Sequence, residues 1–382
     1  MAKSRNEDIA QSMEEAVNVI EGTSLSAVTD WCSTGSTALD LAISNRLPGG
    51  FPVGRVVQLF GGSSTAKSVL SSTMLGYALR SGKQAFLADV EYTMDPVFAS
   101  YYGLDCKHEE FHYGYDFLDK DAKKKLKLEF EQPATIEEFF DIYLAGILKL
   151  RSRKPKVVIC DTITALPSEV ELAEDMKKPS FAMTRAKAIS LGLRKYLGEM
   201  NRKNITLVCI DQTRDNVGGF GASETTNGGR GLEFYSSVRL HLTKDKVITN
   251  SKDSEIGIWV KYKIIKNKVA PPFRKGHFKI LFDYGLDDIT SILSWMAKNK
   301  GVAKEAEYLL TTQIELPFCD KCNRFIHTPD SKCDGEVKLI SKRIMDWVPF
   351  IEDNNLEQDL KQILAGLWKE AYATEERKTR VW

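Results

Sequence analysis

Val56-Val57-Gln58-Leu59-Phe60-Gly61-Gly62-Ser63-Ser64-Thr65-Ala66-Lys67-Ser68 is an apolar run that ends directly in a glycine-rich turn carrying a lysine and a hydroxyl residue. Its last eight residues follow the pattern G-x-x-x-x-G-K-[ST]. In that pattern the backbone N–H groups of a tight loop surround phosphates, the Lys neutralises them, and the hydroxyl residue ligates magnesium. Gly61, Gly62, Ser63, Ser64, Thr65, Ala66, Lys67 and Ser68 are therefore the candidate phosphate-binding residues, and the ligands they imply are a nucleoside triphosphate, ATP above all, and Mg2+. One position departs, because Ala66 stands where the motif has its second glycine. A Cβ there crowds the phosphate or the loop's unusual torsions, and Ala brings the smallest one available. The plain alternative is a strand-to-helix turn with an incidental lysine; the order strand, loop, helix favours the phosphate site.

Further β-like runs follow at Gln84 to Val90, Lys156 to Asp161, Ile205 to Asp211 and Ser237 to Thr243, with helical stretches such as Thr135 to Leu150 and Met183 to Met200 between the first four. Such alternation predicts an α/β fold with a mainly parallel central sheet covered on both faces. Two more runs, Ile258 to Lys266 and His277 to Phe282, extend it as a hairpin-like pair. Beyond about residue 285 the pattern changes to helix, a Cys-rich insert and a final amphipathic helix marked by Leu356, Leu360, Ile363, Leu364 and Leu367. The expected organisation is an N-terminal helix segment over 1–34, a core over 35–284 and a small C-terminal α/β domain over 285–382 with its insert at 319–333.

With 43% hydrophobic and 27% charged residues the chain reads as an ordinary soluble globular protein. No apolar run approaches the ~18 residues a membrane span needs, so no membrane partner is expected. Residues 1–22 are too acidic and interrupted for a signal peptide; Ile9, Met13, Val17 and Ile20 recur at helical spacing instead. Of seven cysteines, Cys32, Cys106, Cys160 and Cys209 are isolated, which fits a cytosolic chain with free thiols. A net charge of +1 excludes a generally basic DNA-coating surface and directs any nucleic-acid contact to local clusters of Lys, Arg and Gly.

Two acidic strand ends bear on the phosphate loop. Asp161 ends an apolar strand, where a carboxylate can hold magnesium together with Ser68. Glu91 follows the strand Ala85 to Val90, where it can take a proton from, or orient, an attacking water. Each taken alone is as consistent with a solvated strand end.

The chain resembles RecA-type recombinases, including the phage members of the UvsX kind, from about Ser33 to Phe282. The motifs are Ser33-Thr34-Gly35-Ser36, the loop at 61–68, Asp89-Val90-Glu91 with Met94-Asp95-Pro96, the strand ending at Asp161, Asp211-Gln212-Thr213-Arg214, Glu224-Thr225-Thr226-Asn227-Gly228-Gly229, and Lys266-Asn267-Lys268 before Pro272-Phe273. Asp175-Met176 and Met183-Thr184-Arg185-Ala186-Lys187 lean toward the phage branch. The resemblance implies that Lys67 and Ser68 bind phosphates and magnesium, Asp161 holds the metal through water, and Glu91 is the catalytic base. It likewise implies that Asp95 contacts the adenine amino group, Phe98 stacks on the ring and Phe282 covers it. Gln212 would sense the γ-phosphate and couple it to a mobile loop. Lys266 and Lys268 would reach the nucleotide of a neighbouring subunit, much as an arginine finger does. An isolated K-x-K is otherwise a solvated basic strand face.

Thr213 to Arg230 holds five glycines, Phe220, Arg214 and Arg230, with no helical or strand periodicity. Long unpatterned loops are functional or disordered. Glycines such as Gly228 and Gly229 let N–H groups approach phosphates, and Val217 or Phe220 can wedge against bases, giving sequence-tolerant single-strand binding. A similar role falls to Asp175 to Thr184, with Phe181 and Met183, and to Arg194 on the helix that follows. Asp215 and Glu224 sit awkwardly in such an anionic groove.

Cys319, Cys322, His327 and Cys333 follow C-x2-C-x4-H-x5-C. Three thiolates and an imidazole make a closed tetrahedral zinc set, which suits a structural Zn2+, and the spacing resembles a retroviral-type knuckle with one extra residue before the last Cys. Unligated thiols or a redox pair remain the alternatives.

The leading expectation is an ATP-dependent recombinase that polymerises as a helical filament on single-stranded DNA, docking through the N-terminal helix and the segment around Asp30 to Ser33, and exchanges strands with duplex DNA. Its setting would be the cytoplasm of a bacterial or phage-infected cell. The competing readings are an ATP-gated DNA-binding protein in which Ala66 has slowed hydrolysis, and a RecA-fold helicase motor.

Overall fold

Apolar runs of five or six residues, too short for helices and buried along their whole length, place the central strands. In the computed structural model, which describes residues 28–173, 182–215, 224–226, 228–299, 310–326 and 333–372, these runs are β3, β4 and β6 of a set comprising β1 (Trp31–Cys32), β2 (Phe51–Pro52), β3 (Val56–Gly61), β4 (Gln84–Asp89), β5 (Phe111–Tyr113), β6 (Lys156–Asp161), β7 (Ile205–Asp215), β8 (Glu224–Thr226), β9 (Val238–Thr249), β10 (Glu255–Asn267), β11 (Lys275–Leu281), β12 (Gly285–Asp287), β13 (Gln313–Phe318) and β14 (Lys338–Arg343). The helices that matter here are α1 (Thr37–Ser44), α2 (Lys67–Arg80), α3 (Pro96–Tyr101), α4 (Ala182–Arg202), α5 (Gly229–Tyr235), α6 (Asp288–Asn299), α7 (Ile344–Asp353) and α8 (Glu357–Ala371).

The sheet runs in the order β12-β11-β10-β9-β3-β7-β6-β4-β5, with β8 paired to β7 alone. From β9 to β5 every pairing is parallel; from β9 to β12 every pairing is antiparallel. This is the mainly parallel sheet with an added hairpin that the sequence predicts, and β13 and β14 form a separate antiparallel pair. Side chains alternate between two buried layers, as a sheet covered on both faces requires. Val57, Leu59, Leu87, Ile159 and Val208 pack into one, and Val56, Phe86, Ala88, Val158 and Leu207 into the other. Fully burying each Val or Leu contributes ~1.5–3 kcal/mol, so the runs hold the strands whatever their intrinsic propensity.

The helical stretch expected over Thr135 to Leu150 is present in three joined pieces. Thr135 caps it, accepting the Glu138 N–H at 3.0 Å, and Phe139–Leu144 is π-helical between the α-helical turns Ile136–Glu138 and Ala145–Lys149. The wider turn seats Phe139, Phe140 and Tyr143 together in the second layer.

Trp31–Trp382 is one compact unit, and the layer that holds β3 continues without interruption through Trp295 to Trp347 and Trp368. Of the other unit, Met1–Asp30, only residues 28–30 are described. The expected N-terminal helix with Ile9, Met13, Val17 and Ile20 lies outside the described residues. No helix among the described residues is long and apolar enough to cross a membrane. Cys32, Cys160 and Cys209 are buried as small apolar side chains.

Candidate nucleotide site and nucleic-acid face

β3 delivers the loop at the carboxyl edge of the parallel strands, where ligands bind in folds of this kind. A Cβ on Gly61 would strike the Leu242 carbonyl oxygen, so the close approach of β9 demands glycine there. Ser64 and Ala66 both have positive φ, 56° and 65°. Ala66 is the residue before α2, at ψ 25°, and no side chain caps the helix, whose first N–H groups thus open onto the loop. A helix end of this kind is a site for an anion.

Lys67 folds back over the loop, its Nζ donating to the carbonyls of Gly61 at 3.0 Å and Gly62 at 2.6 Å. Burial pushes its pKa down, while Asp161, Glu91 and Asp211 act the other way. Ser68 Oγ donates to Asp161 Oδ2 at 2.7 Å. Asp161 is pushed up to about 6, chiefly by burial, with Glu91 and Asp89 adding to the rise and Ser68 and Lys67 opposing it. A buried carboxylate paired with a hydroxyl beside a lysine is a donor set of hard oxygens, which fits a small divalent cation.

Glu91 lies just past β4, and Gln212 on β7 donates to its Oε1 through Nε2 at 3.2 Å. The structure thus brings Lys67, Ser68, Asp161, Glu91 and Gln212 to neighbouring strand ends. Beyond Ser68 and Asp161 a cavity of about 260 Å³ continues between Leu75, Met94, Asp95, Phe98 and Tyr102. Asp95 caps α3, its Oδ1 accepting the N–H groups of Val97 at 2.8 Å and Phe98 at 2.9 Å. Phe98 is exposed on the cavity rim. Phe282 does not line it; its carbonyl instead accepts the Tyr102 hydroxyl at 3.4 Å. Sequence reasoning missed Tyr102 and named Met94 only within the motif Met94-Asp95-Pro96, without a role. Tyr102 lies four residues after Phe98, one turn along the same helix, and that spacing was the available signal.

Lys266 and Lys268 belong to a different patch. Lys266 Nζ donates to the carbonyls of Glu233 at 2.7 Å and Phe234 at 2.9 Å, at the C-terminal end of α5, and both ammonium groups lie about 6 Å from the exposed Phe234 ring. The described contacts of their ammonium groups are with α5, not with the loop at 61–68. Burial lowers the Lys266 pKa, with Lys268 and Arg239 adding to the effect.

Between the two patches runs a polar chain that no motif announced. Asp211, fully buried, accepts Gln58 Nε2 at 3.0 Å, the Gly228 N–H at 3.0 Å and Thr164 Oγ1 at 3.2 Å. Gln58 accepts Arg239 Nε at 2.7 Å, and Arg239 pairs with Glu233 at 2.6 Å. A Cβ on Gly228 would lie 2.6 Å from Leu232 Cδ2 and 2.9 Å from Asp211 Oδ2, so either side chain would have to shift, and Gly229 adopts φ 72°.

The segment expected to be unpatterned from Thr213 onward is in part a ribbon. β7 extends to Asp215 and pairs with β8 in the register Thr213↔Thr226, Arg214↔Thr225 and Asp215↔Glu224. Threonine is a good strand former, which favours that pairing over a free loop. Arg214 therefore falls on a strand. Val217, Phe220 and Phe181 lie outside the described residues. Met183, Arg194 and Arg230 do come together, lining a groove of about 490 Å³ between α4 and α5 with Leu191 and Lys187. Lys187 joins Arg194 and Arg230 in making it cationic; its seven-residue spacing from Arg194, two turns of one helix, was the sequence signal.

At the far end, the sulfurs of Cys319, Cys322 and Cys333 lie within 4.8 Å of one another. His327 lies outside the described residues.

The family model for the RecA N-terminal domain matches residues 7–112 and 118–287. The chain is similar to Protein RecA of Thermus aquaticus, 34% identical over 278 residues covering 72% of this chain and 74% of that one. It is also similar to Protein RecA of Clostridioides difficile (34% over 289 residues, 75% of each chain) and of Colwellia psychrerythraea (32% over 273 residues, 71% of each). The glycine-rich loop at the end of β3, the sheet built around it and this extent of similarity lead to one conclusion: the chain belongs to the RecA family.

Proposed function

We propose that this protein is an ATP-dependent homologous recombinase, a DNA-dependent ATPase that forms a helical filament on single-stranded DNA and pairs that strand with a duplex. One observation carries the reading. Gln212, bonded to Glu91 beside the phosphate loop, lies on the strand that continues into the β7–β8 ribbon. A strand with one end at the nucleotide and the other in the segment assigned to DNA can exchange two arrangements, so that each ligand biases the other's site.

In this reading Lys67 and the N–H groups of residues 61–68 hold the phosphates. Ser68 and Asp161 hold magnesium, which when bound neutralises phosphate charge. Glu91 orients the water and takes its proton as the water oxygen bonds to the γ-phosphorus and the bond to the departing ADP oxygen breaks. Asp95 and Phe98 hold the adenine, and Phe282, outside the cavity lining, covers it when nucleotide is bound. Lys266, bonded to the end of α5, and Lys268, beside it over the Phe234 ring, act on the nucleotide of the next subunit. Single-stranded DNA lies along Met183, Lys187, Arg194 and Arg230, with Phe181, Arg214, Val217, Phe220, Gly228 and Gly229 completing the path. Residues 1–34 polymerise, 35–284 hydrolyse ATP and grip DNA, and 285–382 form the C-terminal region, where Cys319, Cys322, Cys333 and His327 bind a structural zinc ion. The protein works in the cytoplasm of a bacterial cell, its own or a phage's host.

A second reading, an ATP-gated DNA-binding protein with little hydrolysis, is favoured by one observation, the left-handed backbone at Ala66. Steady-state ATP hydrolysis with and without single-stranded DNA separates the two, and joint-molecule formation with a homologous duplex tests recombination. DNA-stimulated hydrolysis with joint molecules is expected; tight nucleotide-dependent DNA binding with no stimulation at filament-forming concentrations would select the second reading.

A further inference from the structure

Resting on the zinc reading of the C-terminal cysteines, we infer that the metal is a latch: it holds the 319–326 turn in the one shape that docks α8 onto the ATPase core.

The sulfur geometry suits one tetrahedral ion. Cys319 Sγ and Cys333 Sγ are 3.8 Å apart. Two sulfurs each about 2.3 Å from a tetrahedral zinc lie ~3.8 Å apart, whereas a disulfide needs ~2.05 Å. The backbone is arranged for thiolates as well. The Gly335 N–H donates to Cys333 Sγ at 3.4 Å, and a Cβ on Gly335 would lie 2.6 Å from Cys319 Sγ. Donors aimed at the ligating atoms are what orient and tune a metal's ligands. The turn between the first two cysteines closes on itself, with Asn323 N–H bonded to the Cys319 carbonyl at 2.9 Å and Asn323 at φ 54°.

That turn is the anchor for the last helices. Asn323 Nδ2 donates to Asn354 Oδ1 at 2.8 Å, just past α7. Arg324 grips the Asp359 carboxylate with two nitrogens, Nε at 2.7 Å, and the Phe325 N–H adds a third bond at 3.0 Å. Asp359 is 1% exposed in the first turn of α8, so opening the 319–326 turn would strand a buried carboxylate. From there the linkage reaches the core. Trp368 of α8 stacks on Trp295 of α6 at 5.2 Å and donates to Asn45 Oδ1 at 3.1 Å, next to α1. Lys361 pairs at 3.6 Å with Asp288, which itself binds the Thr37 N–H at the start of α1 at 2.8 Å. A metal that fixes the turn therefore fixes Asp359, and through Asp359 the seat of α8.

The test uses the full chain purified without chelator. Elemental analysis should find about one zinc per chain, as a closed site holds. Stripping the metal with a chelator under reducing conditions should speed hydrogen exchange of α8 amides by at least about tenfold and leave those of α2 unchanged, and added zinc should restore protection. Arg324→Gln should loosen α8 in the same way while keeping its zinc. Zinc present but α8 exchange indifferent to its removal would overturn the latch and leave the metal site standing; so would an unchanged α8 in Arg324→Gln. Absence of zinc, with no uptake by the reduced protein, would sink both.

Discussion

Replacing Ala66 tests the phosphate loop where it departs from its motif. The residue sits at φ 65°, ψ 25°, where a Cβ meets the following carbonyl at a cost of ~1–2 kcal/mol. Ala66→Gly removes that strain and gives back ~0.4–1 kcal/mol through the greater freedom of the unfolded chain. The difference makes the variant neutral to ~1.6 kcal/mol more stable, although Ala→Gly in an ordinary helix loses ~1 kcal/mol. Ala66→Val moves the other way, since a β-branched residue held in the left-handed region is strained by ~1–3 kcal/mol. Urea unfolding of the nucleotide-free protein, with the slope checked for constancy, gives the order Gly at or above Ala, and both above Val. The same variants read on hydrolysis: if the Cβ crowds the phosphates, kcat rises in Ala66→Gly. A loss of more than about 1 kcal/mol in Ala66→Gly would refute the strain argument, because no side-chain helical cap is removed and the half-buried Ala66 methyl against the core contributes at most ~0.8 kcal/mol.

Asp40 supplies a pH test. Burial pushes its carboxyl up to about 6, with Asp288 adding and the bonds from Ser33 and Thr34 opposing. The folded chain thus holds that proton more tightly than the unfolded one. Its contribution is complete below the ordinary carboxylate range and is lost as pH rises through about 6. The stability of the parent relative to Asp40→Asn should fall by at most ~3 kcal/mol between pH 4 and pH 7 in denaturant titrations, and a flat difference would contradict the assignment. Lys187→Ala and Arg230→Ala should each lower the slope of log affinity against log salt for single-stranded DNA by about 0.7, measured by fluorescence anisotropy; unchanged slopes would take the α4–α5 groove out of the DNA path. Mixing Lys266→Ala with Glu91→Gln chains should recover hydrolysis that neither has alone, since a mixed interface can pair an intact base with an intact lysine. No recovery, with co-assembly verified, would place the lysines in their own subunit's chemistry.

What could be read before folding was local. The loop at 61–68, the acidic strand end at Asp161 and the alternation of apolar runs with helical stretches are written in contiguous residues, because a phosphate loop is a single strand-turn-helix and a buried strand is a short apolar run. Order along the chain also carried Glu91 and Gln212, each one step beyond a strand that burial dictates. The rest depended on which strands became neighbours. Only because β3 lies between β7 and β9 does Gln58 meet both Asp211 and Arg239 and join the Gly228 turn to Glu233. The Thr213↔Thr226 ribbon required β7 to outrun the sheet, and Lys187 became a groove residue only when α5 packed beside α4. In the same way the cysteine spacing announced a metal set, but its attachment to α8 through Asp359 did not, since residues 324 and 359 carry no pattern that links them. Sequence by itself determined the loop and the strands; tertiary structure decided the connections between them, because hydrogen bonds between distant segments are set by register and burial and leave no periodicity in the chain.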